Sequence, residues 1–140
     1  MKINDAIEFL RDRRHGVLIT QKADGRPQSS NIVYLVDDDG RIVISVTDDR
    51  AKTRNLRRTN TASLHVNRDD FWAYAVVEAD VSFTPVATSG DDETVEALIA
   101  YYRTMVGEHD DWDEYRAAMI AEGRLLITLT PTHAYGMLNR

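Results

Sequence analysis

Apolar positions along the chain change their period several times, and each change marks an element. Ile3, Ile7 and Leu10 recur at helical spacing, with Ala6 and Phe9 beside them. This predicts a first helix, with Asn4 or Asp5 as its cap. Gly16 ends that pattern. GVLITQ, QSSNIVYLV and RIVISV then read as strands separated by the turn signals ADGRP and DDDG. TDDRAKTRNLRR interrupts the strand rhythm. Asp48 and Asp49 are capping residues and helix formers follow, so a short helix from about Asp49 is expected. TASLHVN resumes a strand, with Ala62, Leu64 and Val66 on one face. The long β-rich run FWAYAVVEADVSFTPV places Val77, Ala79, Val81 and Phe83 on one side.

SGDDETVEALIAYYRTMVG is the clearest helix. Asp91 and Asp92 load its positive end, and Val95, Leu98, Ile99, Tyr102 and Met105 form its apolar stripe. DWDEYRAAMIAEG reads as another helix ending at Gly123, and RLLITLTPTHAYG as the last strand. About six strands with helices inserted predict a mainly β fold of the α+β kind: a closed antiparallel barrel in one domain spanning residues 1–140.

Composition narrows the chemistry. At 140 residues and 43% apolar, the chain can bury a core without staples. It has no cysteine, which excludes thiol nucleophiles, zinc–thiolate sites, iron–sulfur clusters and disulfides. MKINDAIEFLRDRRHG lacks the apolar core of a signal peptide, and no run approaches a membrane span. A cytoplasmic protein with no membrane partner is therefore expected. His15, His65, His109 and His133 show no metal-ligand spacing, so no metal site is expected. The acidic run EHDDWDE reads as a solvated helix start. No nucleophile elbow, P-loop or dinucleotide fingerprint is present, and Ser29-Ser30 has no visible base partner.

One stretch stands against the charge of the rest. RAKTRNLRR carries Arg50, Lys52, Arg54, Arg57 and Arg58 in a chain of net charge −6. Arg50 and Lys52 fall in the first turn of the expected helix, where cations oppose the dipole. Three readings follow. Converging cations on free backbone N–H groups describe a phosphate cradle. A solvated helix satisfying nearby acids is the plainer account. Nucleic-acid contact is the third, and the acidic remainder argues against it. RPQSSN supplies a second polar cluster, with Gln28 and Ser30 on one strand face and Asn31 on the other. It reads either as ordinary strand-edge polarity or as edge-on recognition of a flat heterocycle.

Taken together, GRPQSSN, RIVISV and DRAKTRNLRR on a β-meander with a late helix resemble the pyridoxamine phosphate oxidase-like split-barrel flavoproteins. More narrowly they resemble the actinobacterial branch that uses the deazaflavin coenzyme F420, the flavin/deazaflavin oxidoreductases of group B. FWAYAVVEADVSFTP, DDETVEALIAYYRTMVGEHDDWDEYRAAM and HAYG extend the resemblance over nearly the whole chain. It implies a six-stranded antiparallel split β-barrel of the FMN-binding type. It also implies that Arg50 and Lys52, with Ala51 between them, hold the cofactor phosphate. Asn55 would support that loop or touch the cofactor tail. Ser45 would contact the phosphate or ribityl region, and Gln28, Ser30 and Asn31 would line the ring. Arg54, Arg57 and Arg58 have no counterpart role; they would meet the cofactor's polyglutamate tail or simply solvate the helix.

The resemblance further implies a homodimer with the cofactor between protomers, and Trp72 and His133 are candidates for the wall donated by the partner. The implied activity is hydride transfer from reduced deazaflavin to an electron-poor conjugated small molecule of tetrapyrrole, quinone or xenobiotic type, with no protein catalytic residue required. FMN is the alternative cofactor. A protein that binds the cofactor without turnover is the alternative function.

Overall fold

The computed structural model describes residues 1–139. In chain order it runs α1 (Ile3–Arg11), β1 (His15–Gln21), β2 (Pro27–Val33), β3 (Leu35–Val36), β4 (Ile42–Thr47) and α2 (Ala51–Arg58). It continues through β5 (Thr61–Asn67), β6 (Tyr74–Phe83), α3 (Glu93–Met105), α4 (Trp112–Ala121) and β7 (Arg124–Met137). All seven strands join one sheet in the order β2-β1-β5-β6-β7-β4-β3, antiparallel throughout.

The sheet curls. Its two edges, β2 and β3, lie at opposite ends of the hydrogen-bonded order yet are separated in sequence by Tyr34 alone. Among the described residues no ladder joins those edges, so the barrel is split, as the resemblance implies, and not closed as the strand pattern alone suggests. The strand count is seven rather than six for the same reason. QSSNIVYLV is not one strand, because the chain bends at Tyr34 and changes partner from β1 to β4. Tyr34 is fully buried and its hydroxyl donates to the Leu10 carbonyl at 2.8 Å. Burial pushes its phenol far above the ordinary tyrosine range. A side chain driven inward at that point ends one ladder and starts another.

The barrel interior is aliphatic: Leu18, Ile42, Ile44, Leu64, Val77, Ile127 and Leu129, closed by Ala6, Ile7 and Leu10 of α1. Each such side chain contributes about 1.5–3 kcal/mol when withdrawn from water. A second cluster lies outside the sheet. There Val95, Leu98 and Ile99 of α3 and Tyr115 and Met119 of α4 pack on Leu126. The expected α3 stripe is therefore present, with Tyr102 and Met105 only half-buried at its end. Asp92 caps α3, its Oδ1 accepting from the Val95 amide at 2.8 Å and its Oδ2 from the amides of Thr88 and Ser89.

Two expectations shift. Lys2 precedes α1 and offers no side-chain cap, so Asn4 and Asp5 lie inside its first turn. The run beginning FWAY forms a strand only over Tyr74–Phe83, leaving Phe71 and Trp72 in the β5–β6 loop. HAYG ends in a glycine that the sheet requires. Gly136 has φ +146°, and a Cβ there would sit 2.3 Å from the Tyr74 carbonyl oxygen.

Candidate functional site

The basic island forms α2, which leads from the end of β4 back toward the β1–β2 hairpin. Leu56 is buried in the barrel core, and the Thr53 hydroxyl donates to the Thr47 carbonyl at 2.8 Å. Asn55 is the polar hub. Its Nδ2 donates to Gln28 Oε1 at 2.7 Å and to Thr20 Oγ1 at 3.1 Å, tying the helix to both strands of the hairpin. A buried amide with satisfied partners holds this geometry tightly, since losing a partner leaves a desolvated polar group.

The helix start is built unlike an ordinary one. Asp48 and Asp49, expected as caps, do not cap it. Arg50 occupies the N-cap position in extended conformation, gives no side-chain cap, and no acid lies in the first turn. Asp48 instead pairs with Arg57 at 2.7 Å, and Asp49 Oδ1 accepts from the Thr47 hydroxyl at 2.7 Å. The first backbone N–H groups of α2, from Ala51 onward, therefore receive no side-chain cap from the N-cap residue.

The cations divide by position. Arg54 donates to the Asp49 carbonyl at 2.5 Å. Arg57 pairs with Asp48 and lies over the Phe83 ring at 4.9 Å. Arg58 reaches Asn55 Oδ1 at 3.4 Å. Arg50 and Lys52 make no ion pair among the described residues. They are joined by Arg124, which stands opposite Thr47 in the β4–β7 ladder. Burial first, then the charges of Arg50 and Arg124, hold the Lys52 ammonium below the usual lysine range. Beside them lies an open recess of about 440 Å³ lined by Thr47, Asp49, Arg50, Ala121, Glu122 and Arg124. Three cations beside a helix start without a side-chain cap are the donor set an anionic oxygen cluster takes.

The other residues singled out by sequence fall on two surfaces. Gln28 pairs with Thr20 and Ser30 with the buried Leu18, so both face the barrel interior. Asn31 is exposed on the outer face opposite Val17, as its register position requires. Ser45 is paired with Leu126 and therefore faces the helix layer, on the same side of β4 as Thr47. It lies beneath Tyr101 of α3, whose hydroxyl also reaches the Val33 carbonyl at 3.4 Å. Burial holds that phenol above its ordinary range.

Thr47, which lines the recess, Ser45 and the Tyr101 that covers it thus lie on one side of β4. Trp72 and His133 are remote from the cradle in the sheet. Trp72 is 65% exposed on the β5–β6 loop, and His133 sits exposed at the β6–β7 irregularity opposite Glu78. Arg124 and Tyr101 escape a sequence reading because only long-range register and helix docking bring them here. The acidic run ahead of α4 is used locally, with Asp111 capping that helix and Glu108 accepting from Trp112 Nε1. Among the described residues, no group of three or more His, Asp or Glu is placed to hold a metal ion.

This fold and site define a split-barrel class of protein. The chain belongs to the pyridoxamine 5'-phosphate oxidase family, whose model matches residues 4–138. Among solved structures it is similar to the conserved hypothetical protein Rv2991 of Mycobacterium tuberculosis, with TM-score 0.76 at 20% identity over 100% of this chain and 86% of that one. It is also similar to an F420 reductase, with TM-score 0.69 at 22% identity over 91% and 94% of the two chains. The heme storage protein HutZ from Vibrio cholerae matches with TM-score 0.68 at 19% identity over 98% and 96%. At these identities the likeness is one of fold. No helix among the described residues is long and apolar enough to cross a membrane.

Proposed function

We propose that this protein is a coenzyme F420-dependent reductase, acting as a cytoplasmic homodimer of single split-barrel domains. Its substrate is an electron-poor conjugated small molecule of tetrapyrrole, quinone or xenobiotic type. The observation that carries the reading is the uncapped start of α2, where Arg50 and Lys52, without an ion pair among the described residues, stand beside Arg124. A helix start with no acid and no cap, ringed by cations, is unfavourable for stability alone and suited to an anion. The F420 reductase among the structural neighbours supports the deazaflavin over FMN.

When bound, the deazaflavin supplies the hydride chemistry; the chain binds and orients it. Arg50, Lys52 and Arg124 would hold its phosphodiester, with the Ala51 amide among the donors. Ser45, on the same side of β4 as the recess residue Thr47, would contact the phosphate or ribityl region. Asn55 is a positioning residue: through Gln28 it would fix the anchor relative to β2, whose Asn31, on the outer face, would read the ring, while Ser30 faces the barrel interior. Trp72 and His133 complete the wall from the partner protomer. No side chain is assigned as a proton donor, since solvent completes the product.

The test is a fluorescence titration of cofactor-free protein with coenzyme F420 and, in parallel, with FMN. Micromolar or tighter binding of F420 with weaker FMN supports the reading, and substrate-dependent oxidation of the reduced cofactor then separates an enzyme from a carrier. The reverse preference moves the protein to FMN chemistry. Binding of neither leaves the cationic recess without this purpose.

A further inference from the structure

The recess beside α2 is not purely cationic. Two carboxylates line it with the two arginines: Asp49 next to Arg50, and Glu122 next to Arg124. Both are held in place. Asp49 Oδ1 accepts from the Thr47 hydroxyl at 2.7 Å, and Thr47 is the ladder partner of Arg124. Glu122 Oε1 accepts from Arg124 Nη2 at 3.2 Å. The Thr47 hydrogen bond, then the Asp49 amide and the neighbouring Arg50 and Arg54, keep the Asp49 carboxyl below its usual range, so it is ionised at neutral pH. With Lys52, the recess counts three cations against two carboxylates, a formal excess of one positive charge.

A cradle meant only to attract anions gains nothing from two carboxylates at its rim. They set how much negative charge it accepts. A phosphate monoester carries about −1.5 to −2 charges at pH 7, whereas a diester carries one. Repulsion from a fixed carboxylate scales with the charge of the phosphate group seated beside it, so at the recess it weighs about twice as heavily on a monoester dianion as on a diester.

We infer that Asp49 and Glu122 are specificity residues, tuning the Arg50–Lys52–Arg124 recess to a singly charged phosphodiester and against a terminal phosphate monoester. This selectivity rests on the cofactor reading of the recess. It adds a physical basis for preferring a deazaflavin diester to FMN within one shared cradle.

The experiment compares dissociation constants for coenzyme F420, FMN and riboflavin on the wild-type protein and on Asp49→Asn, Glu122→Gln and the double variant. Riboflavin, which has the FMN ring and no phosphate, controls for a change in the ring site. Because exposed charge pairs contribute modestly, the double variant is expected to bind FMN about 3–20-fold tighter, F420 only about 2–4-fold tighter, and riboflavin unchanged. F420 binding with no relative gain for FMN, or equal gains for all three ligands, overturns the inference while leaving the functional reading intact. A wild-type protein that prefers FMN, or that binds neither phosphate ligand, overturns both.

Discussion

The two ends of α2 carry the same kind of side chain and use it differently. At the far end, Arg57 is paired with Asp48 and stacked on Phe83, while Arg58 reaches back to Asn55. Those cations hold the helix to its surroundings. At the near end, Arg50 and Lys52 have no acidic partner among the described residues, and the capping acid that a helix start normally carries is missing. Charge alone does not distinguish the ends, since every one of these residues is basic. What distinguishes them is where the acids went. Asp48 serves the far end and Asp49 turns to Thr47, which strips the near end of its cap. A basic run is thus divided into a paired half and an unpaired half by two neighbouring aspartates.

The sharpest way to break this contrast is at the near end. Lys52→Ala and Arg50→Ala are each expected to weaken F420 binding by about 10–100-fold, the value of a charge-assisted hydrogen bond, with little change in the thermal midpoint. Isothermal titration and a melting curve on the same samples check both halves. Losses of equal size at Arg57 would erase the distinction.

Asn55→Ala should act on stability first. It removes the partner of Gln28 and Thr20 inside the fold, at a cost of about 1–3 kcal/mol, read as a lower denaturant midpoint. Next comes pH. Lys52 must be protonated to hold an anion, so affinity should fall at alkaline pH, and it should do so below the ordinary lysine range because the value is depressed. For the free protein the sign is opposite. With a depressed lysine, the unfolded chain binds more protons than the folded one across that window, so this group's contribution to stability rises with pH. Lys52→Arg should flatten the alkaline loss of affinity. The smallest effect is expected from Arg57→Ala: at most about 1 kcal/mol of stability, reduced by salt, with F420 affinity unchanged.

Much of the framework was legible because alternation and helical spacing report burial directly. The stripe of α3, the inward face of β5 and the polar positions of β2 all fall where their periods place them. The misplaced points share a cause. Nothing local marks Tyr34 as the residue where one strand becomes two, since its neighbours on both sides are β-formers; only its contact with Leu10 ends the ladder. Arg124 opens an ordinary-looking strand and enters the recess solely through its register against Thr47. Asp48 and Asp49 have the right chemistry for caps, and lose that role to partners made available by tertiary structure. Tyr101 lay within a helix whose apolar stripe was read correctly, but its docking over Ser45 depends on how that helix meets the sheet.

The position of β7 bears on how the protein is made. In the sheet it stands between β6 and β4, though it follows both in the chain. During synthesis β2, β1, β5 and β6 can zip together in turn, while the β3–β4 hairpin has no neighbour to join until residues 124–137 emerge. The recess at the start of α2, walled on one side by Arg124, is therefore among the last features to exist. A ribosome-bound chain halted before Arg124 should leave the β4 amides open to hydrogen exchange while those of β1 and β5 are already protected. The recess then arrives only with the closing strand, so the nascent chain completes its sheet before this pocket has its second wall.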